Sequence, residues 1–460
     1  MGEVLEFKCS TCGHVLSEPK LICPKCNGIV LYNYSSSGIE WKVVMSNHGI
    51  WKFLSLLPKL KERVSMEEGF TPIFNSKNIG FKIGLHRLWF KDECRNPTGS
   101  FRDRVAAIIL SHALSIGVKE VICASDGNLG ASIAAYCTRI GLQPIVVVPK
   151  LVDVGKVIQM RIHGAKIIEY GDTLDEAVKR AHELAEKHQY YEATAETNCL
   201  SIEGLKTIVY EIYYQLEKIP EHVIVPTGSG ITALSIYLGF KQLVELGLIE
   251  EIPKIHVVQS ATCPTIALSM KYIYSSSGGG GVVIGLSYCE NPLAEHIARI
   301  LSSTGGYGVI VSLNEIYEST IELAQQEGLF VEPAAGAAVA GLKLLADHGV
   351  IGGDEDVVVL LTGTGLKALE TFIHHRKHLD KYIIPSTKLQ ILKVLYERGE
   401  MHGYGIWKTF LPRITPQAIY QHLSELEARG LVKSFIKNRR KVYILTEKGR
   451  RVVEVINELY

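Results

Sequence analysis

The chain has no uncharged apolar run approaching the roughly 18 residues that a membrane helix needs. Its first residues, Met1-Gly2-Glu3-Val4-Leu5-Glu6, lack the basic and apolar regions of a secretory signal, and Glu6 breaks the myristoylation pattern. A cytoplasmic protein without a membrane partner is the expectation, and in that compartment its ten cysteines are not expected to pair as disulfides. An excess of one charge is missing too: 49 Lys+Arg against 48 Asp+Glu leave +1, a balance that conceals a segregation. With 47% hydrophobic and 21% charged residues, wholesale disorder is excluded. No internal repeat is visible, and 460 residues suit two to four domains at about 100–200 residues each.

What the sequence does hold begins with Cys9, Cys12, Cys23 and Cys26, spaced C-x2-C-x10-C-x2-C. Two such knuckles bring four thiolates into a tetrahedron around one Zn²⁺. Gly13 and Asn27-Gly28 follow the two pairs and suit tight turns. Four protein ligands leave no open position, so the zinc is expected to be structural. The other six cysteines (94, 123, 137, 199, 263 and 289) are scattered and read as small buried apolar residues.

Between about 39 and 370, short apolar runs at 121–124, 145–149, 223–227, 255–259, 309–313 and 357–361 alternate with segments of helical period such as 174–188 and 203–217. That alternation predicts βα units and a parallel sheet covered on both faces. Residues 275–281 read as a flexible surface loop. Residues 371–384 read as a connector, whose His374, His375 and His378 suit a solvated helix face better than a metal site.

From Pro385 onward the composition changes: 14 basic against 7 acidic residues give the tail +7 and leave −6 on the rest. Segregation of this kind points to a polyanionic partner for the tail. The pattern predicts helices over 386–398, 404–411 and 417–429, with Thr415 as N-cap and Pro416 in the first turn of the third. Strands are predicted over 431–436 and 442–446, joined by the basic turn Lys437-Asn438-Arg439-Arg440-Lys441. Three helices and a basic-tipped hairpin make a winged helix-turn-helix. Gln417, Tyr420, Gln421 and His422 are the side chains placed to reach base edges or phosphates, and Lys437, Arg439, Arg440 and Lys441 form the wing contact to DNA. Winged helices also serve as protein–protein modules; the basic wing favours DNA.

The run from Tyr420 to Val432, with its Tyr-x-x-Leu-x-x-Leu-Glu-x-x-Gly-Leu-Val pattern, resembles PadR-like winged-helix regulators over about 75 residues. The central region resembles threonine synthases. Asn96-Pro97-Thr98-Gly99-Ser100-Phe101-Arg102-Asp103-Arg104 looks like their signature ahead of a helix predicted at 105–114. Ser125–Ser132 resembles the substrate-binding asparagine loop, and Pro226–Thr232 the phosphate loop. Glu332–Ala338 and Leu361–Lys367 complete five ordered blocks, and relatives of the family also carry a zinc ribbon ahead of the domain. The resemblance implies the α/β architecture of fold-type II pyridoxal phosphate (PLP) enzymes, two subdomains with a ligand cleft between them. The expected order is a zinc ribbon (1–38), the threonine synthase-like body (39–370), a linker (371–384) and the winged helix (385–460).

The family's Schiff-base lysine is replaced by Arg102. A guanidinium stays protonated and offers no free amine, so it cannot form an internal aldimine. No catalytic residue is therefore assigned. Asp126, Leu129, Ile231, Thr232 and Thr364 also depart from the family's pattern in ligand-contacting loops. By the resemblance, Asn128 still meets the PLP 3′-oxygen, Thr362 the pyridine nitrogen, and Gly228, Ser229 and Gly230 form an anion cradle, with Arg102 and Thr232 beside it. The expectation is a catalytically silent body, with PLP at most non-covalent, that senses a small anionic metabolite: PLP, phosphohomoserine, threonine or a related amino acid. Both resemblances imply a homodimer. The competing expectations are an active PLP-dependent lyase with a regulatory tail, and a scaffold whose winged helix binds protein.

Overall fold

In the computed structural model, described here for residues 5–34, 39–275, 281–374, 387–410, 414–437 and 440–458, the apolar runs lie in two parallel sheets. The chain divides into two compact units, Met1–Glu370 and Thr371–Tyr460. In the first, a four-stranded sheet orders Lys166–Glu169, Gln143–Val148, Glu120–Ala124 and Tyr191–Glu192. A seven-stranded sheet orders Tyr272–Tyr274, Gly308–Val311, Lys254–Ser260, His222–Pro226, Val357–Leu361, Leu88–Asp92 and Ile73–Asn75. All pairs are parallel except the edge pair Ile73–Asn75 with Leu88–Asp92. Central strands such as Val357–Leu361 are buried along their whole length, which is why they read as unbroken apolar runs.

Helix Leu174–His188 matches its predicted bounds because both ends are written locally. Thr173 and Glu176 form a capping box, and its apolar positions keep the 3.6-residue period. The helix predicted at 105–114 instead spans Arg102–Ser115, so Arg102 stands in its first turn. One apolar core joins Ile109, Tyr136, Ile208 and Phe240 to Phe7, Leu21 and Val30 of the N-terminal segment. That segment, a small antiparallel sheet of Phe7–Cys9, Val15–Leu16 and Val30–Tyr32, thus shares the body's core.

One correction concerns this unit. Cys263 and Cys289 are joined as a disulfide with Cα atoms 5.0 Å apart, against the expectation of unpaired cysteines, and Cys289 is exposed. The topology brings the end of strand Lys254–Ser260 beside the 285–291 loop, a proximity that sequence spacing does not reveal. Helix Leu369–His374 runs into the first residues of the predicted connector 371–384. His375 and His378 lie outside the described residues, as does most of the loop predicted at 275–281.

Two fully buried histidines lie on adjacent strands of the large sheet, His222 opening one and His256 third in the other. His222 Nδ1 lies 2.9 Å from His256 Nε2, and His256 Nδ1 accepts from the Tyr307 N–H at 3.2 Å. That bond leaves the His256 proton on Nε2, donated to His222, whose Nε2 faces Glu355 at 3.1 Å. Burial, then His222 and Lys254, push the His256 pKa down to about 3 from 6.5. The unfolded chain therefore takes up this proton near pH 6.5 and the folded chain resists until about 3. Stability is expected to fall as pH drops through that window, by up to about 1.4 kcal/mol per pH unit for one proton. Denaturation of a His256→Asn variant at pH 6.5 and 5 checks it: a slope unchanged by the substitution would exclude the pair as its source.

In the second unit, helices Thr387–Arg398, Gly403–Lys408 and Pro416–Ala428 pack Ile391, Leu395, Ile406, Ile419 and Leu423 into one core. Two elements went unpredicted. Met401–His402 adds a third strand to the wing by pairing with Arg440–Leu445, and helix Glu447–Glu458 closes the chain.

Candidate functional site

The cleft is assembled where helix N-termini from both sheets converge. Arg102, Ser125, Asp126, Glu196, Ser229 and Tyr288 are among the residues enclosing a cavity of about 30 Å³. Arg102 Nη2 lies 3.8 Å from Glu196 Oε1, and the Ser229 hydroxyl donates to the same oxygen at 3.0 Å. Glu196 therefore lies directly against the predicted phosphate loop. Burial raises its pKa above the ordinary carboxylate value; Arg102 opposes the rise and Asp126 adds to it. The loop 285–291 closes the cavity from above. The Gly285 N–H donates to Asp126 Oδ2 at 2.6 Å, and Asn291 Nδ2 donates to the Ser229 carbonyl at 2.8 Å. A Cβ on Gly228 would lie 2.7 Å from the Gly285 carbonyl oxygen, so only glycine allows this approach.

Asn128 opens helix Asn128–Ile140 and donates through Nδ2 to both oxygens of Glu332, at 2.8 and 2.9 Å. Lys156, also buried, lies 3.3 Å from Glu332 and 3.4 Å from Asp153. Lys367 donates to the Thr98 carbonyl at 2.9 Å, and burial lowers its pKa to about 8. Of the predicted ligand residues, Arg102, Gly228 and Ser229 line the cavity and Asn128 adjoins it between Asp126 and Leu129. Gly230, Thr232 and Thr362 do not line it. Gly230 caps helix Ile231–Glu245 with φ +88°, Thr232 is buried in that helix's first turn, and the Thr362 carbonyl accepts from the Phe101 N–H. Sequence reasoning missed Glu196, Lys156 and Tyr288, and gave Glu332 no role although it heads one of the five blocks.

These residues do not fit the anchorage that PLP requires of a lysine amine and an open phosphate loop. Residue 102 is a guanidinium, a carboxylate occupies the loop's side, and about 30 Å³ holds about one water, whereas small-molecule sites run to ≈ 300–1,000 Å³.

The four predicted zinc ligands do converge. All four sulfur atoms lie within 4.8 Å of one another, with Cys9 and Cys26 at 3.5 Å and Cys12 and Cys23 at 3.7 Å. A tetrahedral Zn–S₄ centre with bonds of about 2.3 Å has edges of about 3.8 Å, so these residues fit zinc. The Thr11 and Cys12 N–H groups point at Cys9 Sγ, at 3.4 and 3.5 Å. Gly13 and Asn27 take positive φ in the two knuckle turns.

In the winged helix, Gln417, Tyr420 and Gln421 are exposed on helix Pro416–Ala428, whose N-cap Thr415 accepts from the Ala418 N–H. His422 is half-buried, and its Nδ1 has no partner among the described residues. Trp407 Nε1 donates to the Ile414 carbonyl at 2.8 Å, tying the second helix to the residue ahead of the third helix's N-cap. The wing differs from prediction. Strands Val432–Lys437 and Arg440–Leu445 pair as far as Lys437 with Arg440, so Lys437, Arg440 and Lys441, predicted in the turn, belong to the strands. Lys437 pairs with Glu400, Lys441 lies 3.3 Å from Glu427, and Arg440 is exposed; Arg439 lies outside the described residues.

A seven-stranded and a four-stranded parallel sheet around such a cleft define a class, and comparison agrees with it. Residues 64–363 match the family described as "Pyridoxal-phosphate dependent enzyme", and the chain belongs to that family. Residues 391–455 match the "Transcriptional regulator PadR-like family". Within the enzyme family the chain is 35% identical over 390 residues to the threonine synthase of Methanosarcina acetivorans, covering 80% of this chain and 93% of the relative. It is 35% identical over 379 residues to that of Methanocaldococcus jannaschii, covering 78% and 92%. Solved structures share the fold: O-ureido-L-serine synthase has TM-score 0.56 at 22% identity, covering 69% of this chain and 94% of that one. A fungal L-serine ammonia-lyase from Rhizomucor miehei has TM-score 0.56 at 21% identity, covering 68% and 98%. No described helix is long and apolar enough to cross a membrane.

Proposed function

We propose that this chain is a ligand-responsive DNA-binding regulator, built on a threonine synthase-like body that has lost covalent catalysis. The observation that carries the reading is Arg102 beside Glu196: a permanently charged fork stands at the aldimine position and faces a carboxylate. The basic tail, the exposed Gln417, Tyr420 and Gln421, and the match to PadR-like regulators support DNA as the partner. A homodimer in the cytoplasm is part of the proposal, since winged-helix readers act on paired half-sites. Ligand in the body biases the tail only through different affinities for two states, typically worth about 1–3 kcal/mol.

A second reading keeps catalysis. Lys367 is a buried amine lowered to about 8, a property of reactive lysines. Its Nζ is tied to the Thr98 carbonyl, which weighs against it. Incubation with PLP, borohydride reduction and peptide mapping separate the two. No adduct supports the regulator; an adduct on Lys367 with phosphate release from phosphohomoserine overturns it. For DNA, gel shifts against the chain's own upstream region are expected to weaken steeply with salt. Arg439→Ala with Arg440→Ala is expected to weaken binding to every sequence and to reduce the salt slope by about two. Gln421→Ala is expected instead to relax preference at one base pair by about 1–3 kcal/mol. No shift at low salt would leave the winged helix as a protein-binding module.

A further inference from the structure

The 285–291 loop that closes the cleft is held by residues of both sheets. Leu286 packs into the apolar core of the large sheet with Val258 and Val309. Tyr288, two residues on, packs into that of the small sheet with Ile122 and Val147. The hydrogen bonds repeat this division. On the small-sheet side the Gly285 N–H donates to Asp126, and the Cys289 and Glu290 N–H groups donate to Asp175 at 3.4 and 2.8 Å. On the large-sheet side Asn291 Nδ2 donates to the Ser229 carbonyl. Gly285, Ser287 and Tyr288 line the cavity itself. With about 30 Å³ beneath it, this strap has to move before anything much larger than one water enters.

A covalent anchor is added at Cys289. Its disulfide to Cys263 fixes the strap to the segment just after strand Lys254–Ser260 of the large sheet. Beyond Tyr288, the ties to the small-sheet side are the two amide bonds to Asp175 and the pair of Lys179 with Glu290 at 2.6 Å. Both side chains of that pair are exposed, so it adds little. The disulfide therefore decides how freely this end of the strap lifts. Its two cysteines are unequally accessible: Cys289 is exposed and Cys263 is buried. An incoming thiolate reaches Cys289 and expels Cys263. In a reducing compartment, such as the cytoplasm proposed for this chain, disulfides are generally transient and redox-sensing.

We propose that Cys263 and Cys289 form a reversible thiol–disulfide switch, which latches the 285–291 strap over the cleft when oxidised and frees it when reduced by a dithiol protein. One thiolate of the dithiol attacks Cys289 Sγ, the bond between Cys263 and Cys289 breaks, and Cys263 leaves as a thiolate that takes up a proton. The second thiol of the reductant then attacks the mixed disulfide and releases Cys289, which is protonated in turn. Two electrons and two protons pass to the chain, and the dithiol becomes a disulfide. A disulfide oxidant such as oxidised glutathione reverses the exchange. As control of a ligand site the inference rests on the reading of the cleft as one; the exchange and the release of the strap do not.

Full-length protein purified without reductant tests the switch. Peptide mass spectrometry is expected to find Cys263 linked to Cys289, and dithiothreitol followed by iodoacetamide to label both while the chain stays folded. Hydrogen–deuterium exchange of peptides spanning 284–291 is expected to quicken about tenfold or more on reduction and to slow again with oxidised glutathione. Exchange in strand Val357–Leu361 is expected to stay unchanged. Cys289→Ser and Cys263→Ser are each expected to show the fast strap without reductant. The double variant is expected to be indifferent to dithiothreitol there, which separates the switch from any effect on the Cys9, Cys12, Cys23 and Cys26 cluster. Free thiols at both positions before reduction, a link that resists dithiothreitol in the folded chain, or a strap whose exchange ignores reduction overturns the proposal. Quickening of Val357–Leu361 together with the strap also overturns it, since the disulfide is then a general staple. Neither ligand nor DNA enters these measurements, so failure of the switch is distinguishable from failure of the regulator reading.

Discussion

Removal of metal from Cys9, Cys12, Cys23 and Cys26 is expected to destabilise far more than the short segment that holds it. Structural zinc in isolated finger peptides supplies about 10–16 kcal/mol of apparent binding free energy, which becomes folding free energy. Here Phe7, Leu21, Cys23 and Val30 are buried in the same core as Val105, Ile109 and Leu205, so unravelling the knuckles exposes the body's apolar interior as well. Purified protein is expected to carry one zinc per chain by elemental analysis. Chelation or Cys23→Ser is expected to remove it and to lower the melting temperature of the body by many degrees. A body whose unfolding is indifferent to both treatments would show that the cysteine cluster is not structural.

The other large effect belongs to Arg104, two residues beyond the cleft arginine and wholly buried. Its guanidinium donates to Glu93 through Nε at 2.7 Å and Nη2 at 2.8 Å, and to Glu211 through Nη1 at 2.5 Å and Nη2 at 2.8 Å. Lys91, also fully buried, completes the charge balance by donating to Glu211 at 2.7 Å. The Glu211 carboxyl is held down to about 2, since Arg104 and Lys91 outweigh the burial that would raise it. Arg104→Ala strands two buried carboxylates on one lysine and is expected to cost about 3–5 kcal/mol, as breaking buried pairs generally does. Chemical denaturation measures it. Adding Glu93→Gln to Arg104→Met is expected to restore much of the loss, because the uncompensated charge rather than the missing contact dominates. Non-recovery in the double variant would point to packing instead.

These two arginines explain how one motif was legible as a signature yet opaque in its roles. In Asn96–Arg104, Asn96 donates to Glu93, Thr98 to Asp103, and Arg104 joins the buried network, so most of the motif maintains the fold. Of the motif, only Arg102 lines the cavity. Spacing and residue type placed the four converging sulfur atoms directly, because both knuckles are local turns. Helix Leu174–His188 and strand Val357–Leu361 were equally readable, from a capping box and from an unbroken apolar run. The strand Met401–His402 was not: two residues carry no period, and its pairing with Val442 and Tyr443 is set by the tertiary fold.

The class of the body, the paired cysteine knuckles, the basic tail and the loss of the amine at position 102 were all legible in the chain, because each is written in neighbouring residues or in residue chemistry. What Arg102 faces follows from the folding of distant segments together. Glu196 is 94 positions away and inside no readable pattern, and Glu332, although it heads one of the five blocks, reaches Asn128 across 204. A carboxylate's meaning depends on burial and on its partners. Those follow from how the two sheets and the 285–291 loop close together, which no local stretch of chain encodes.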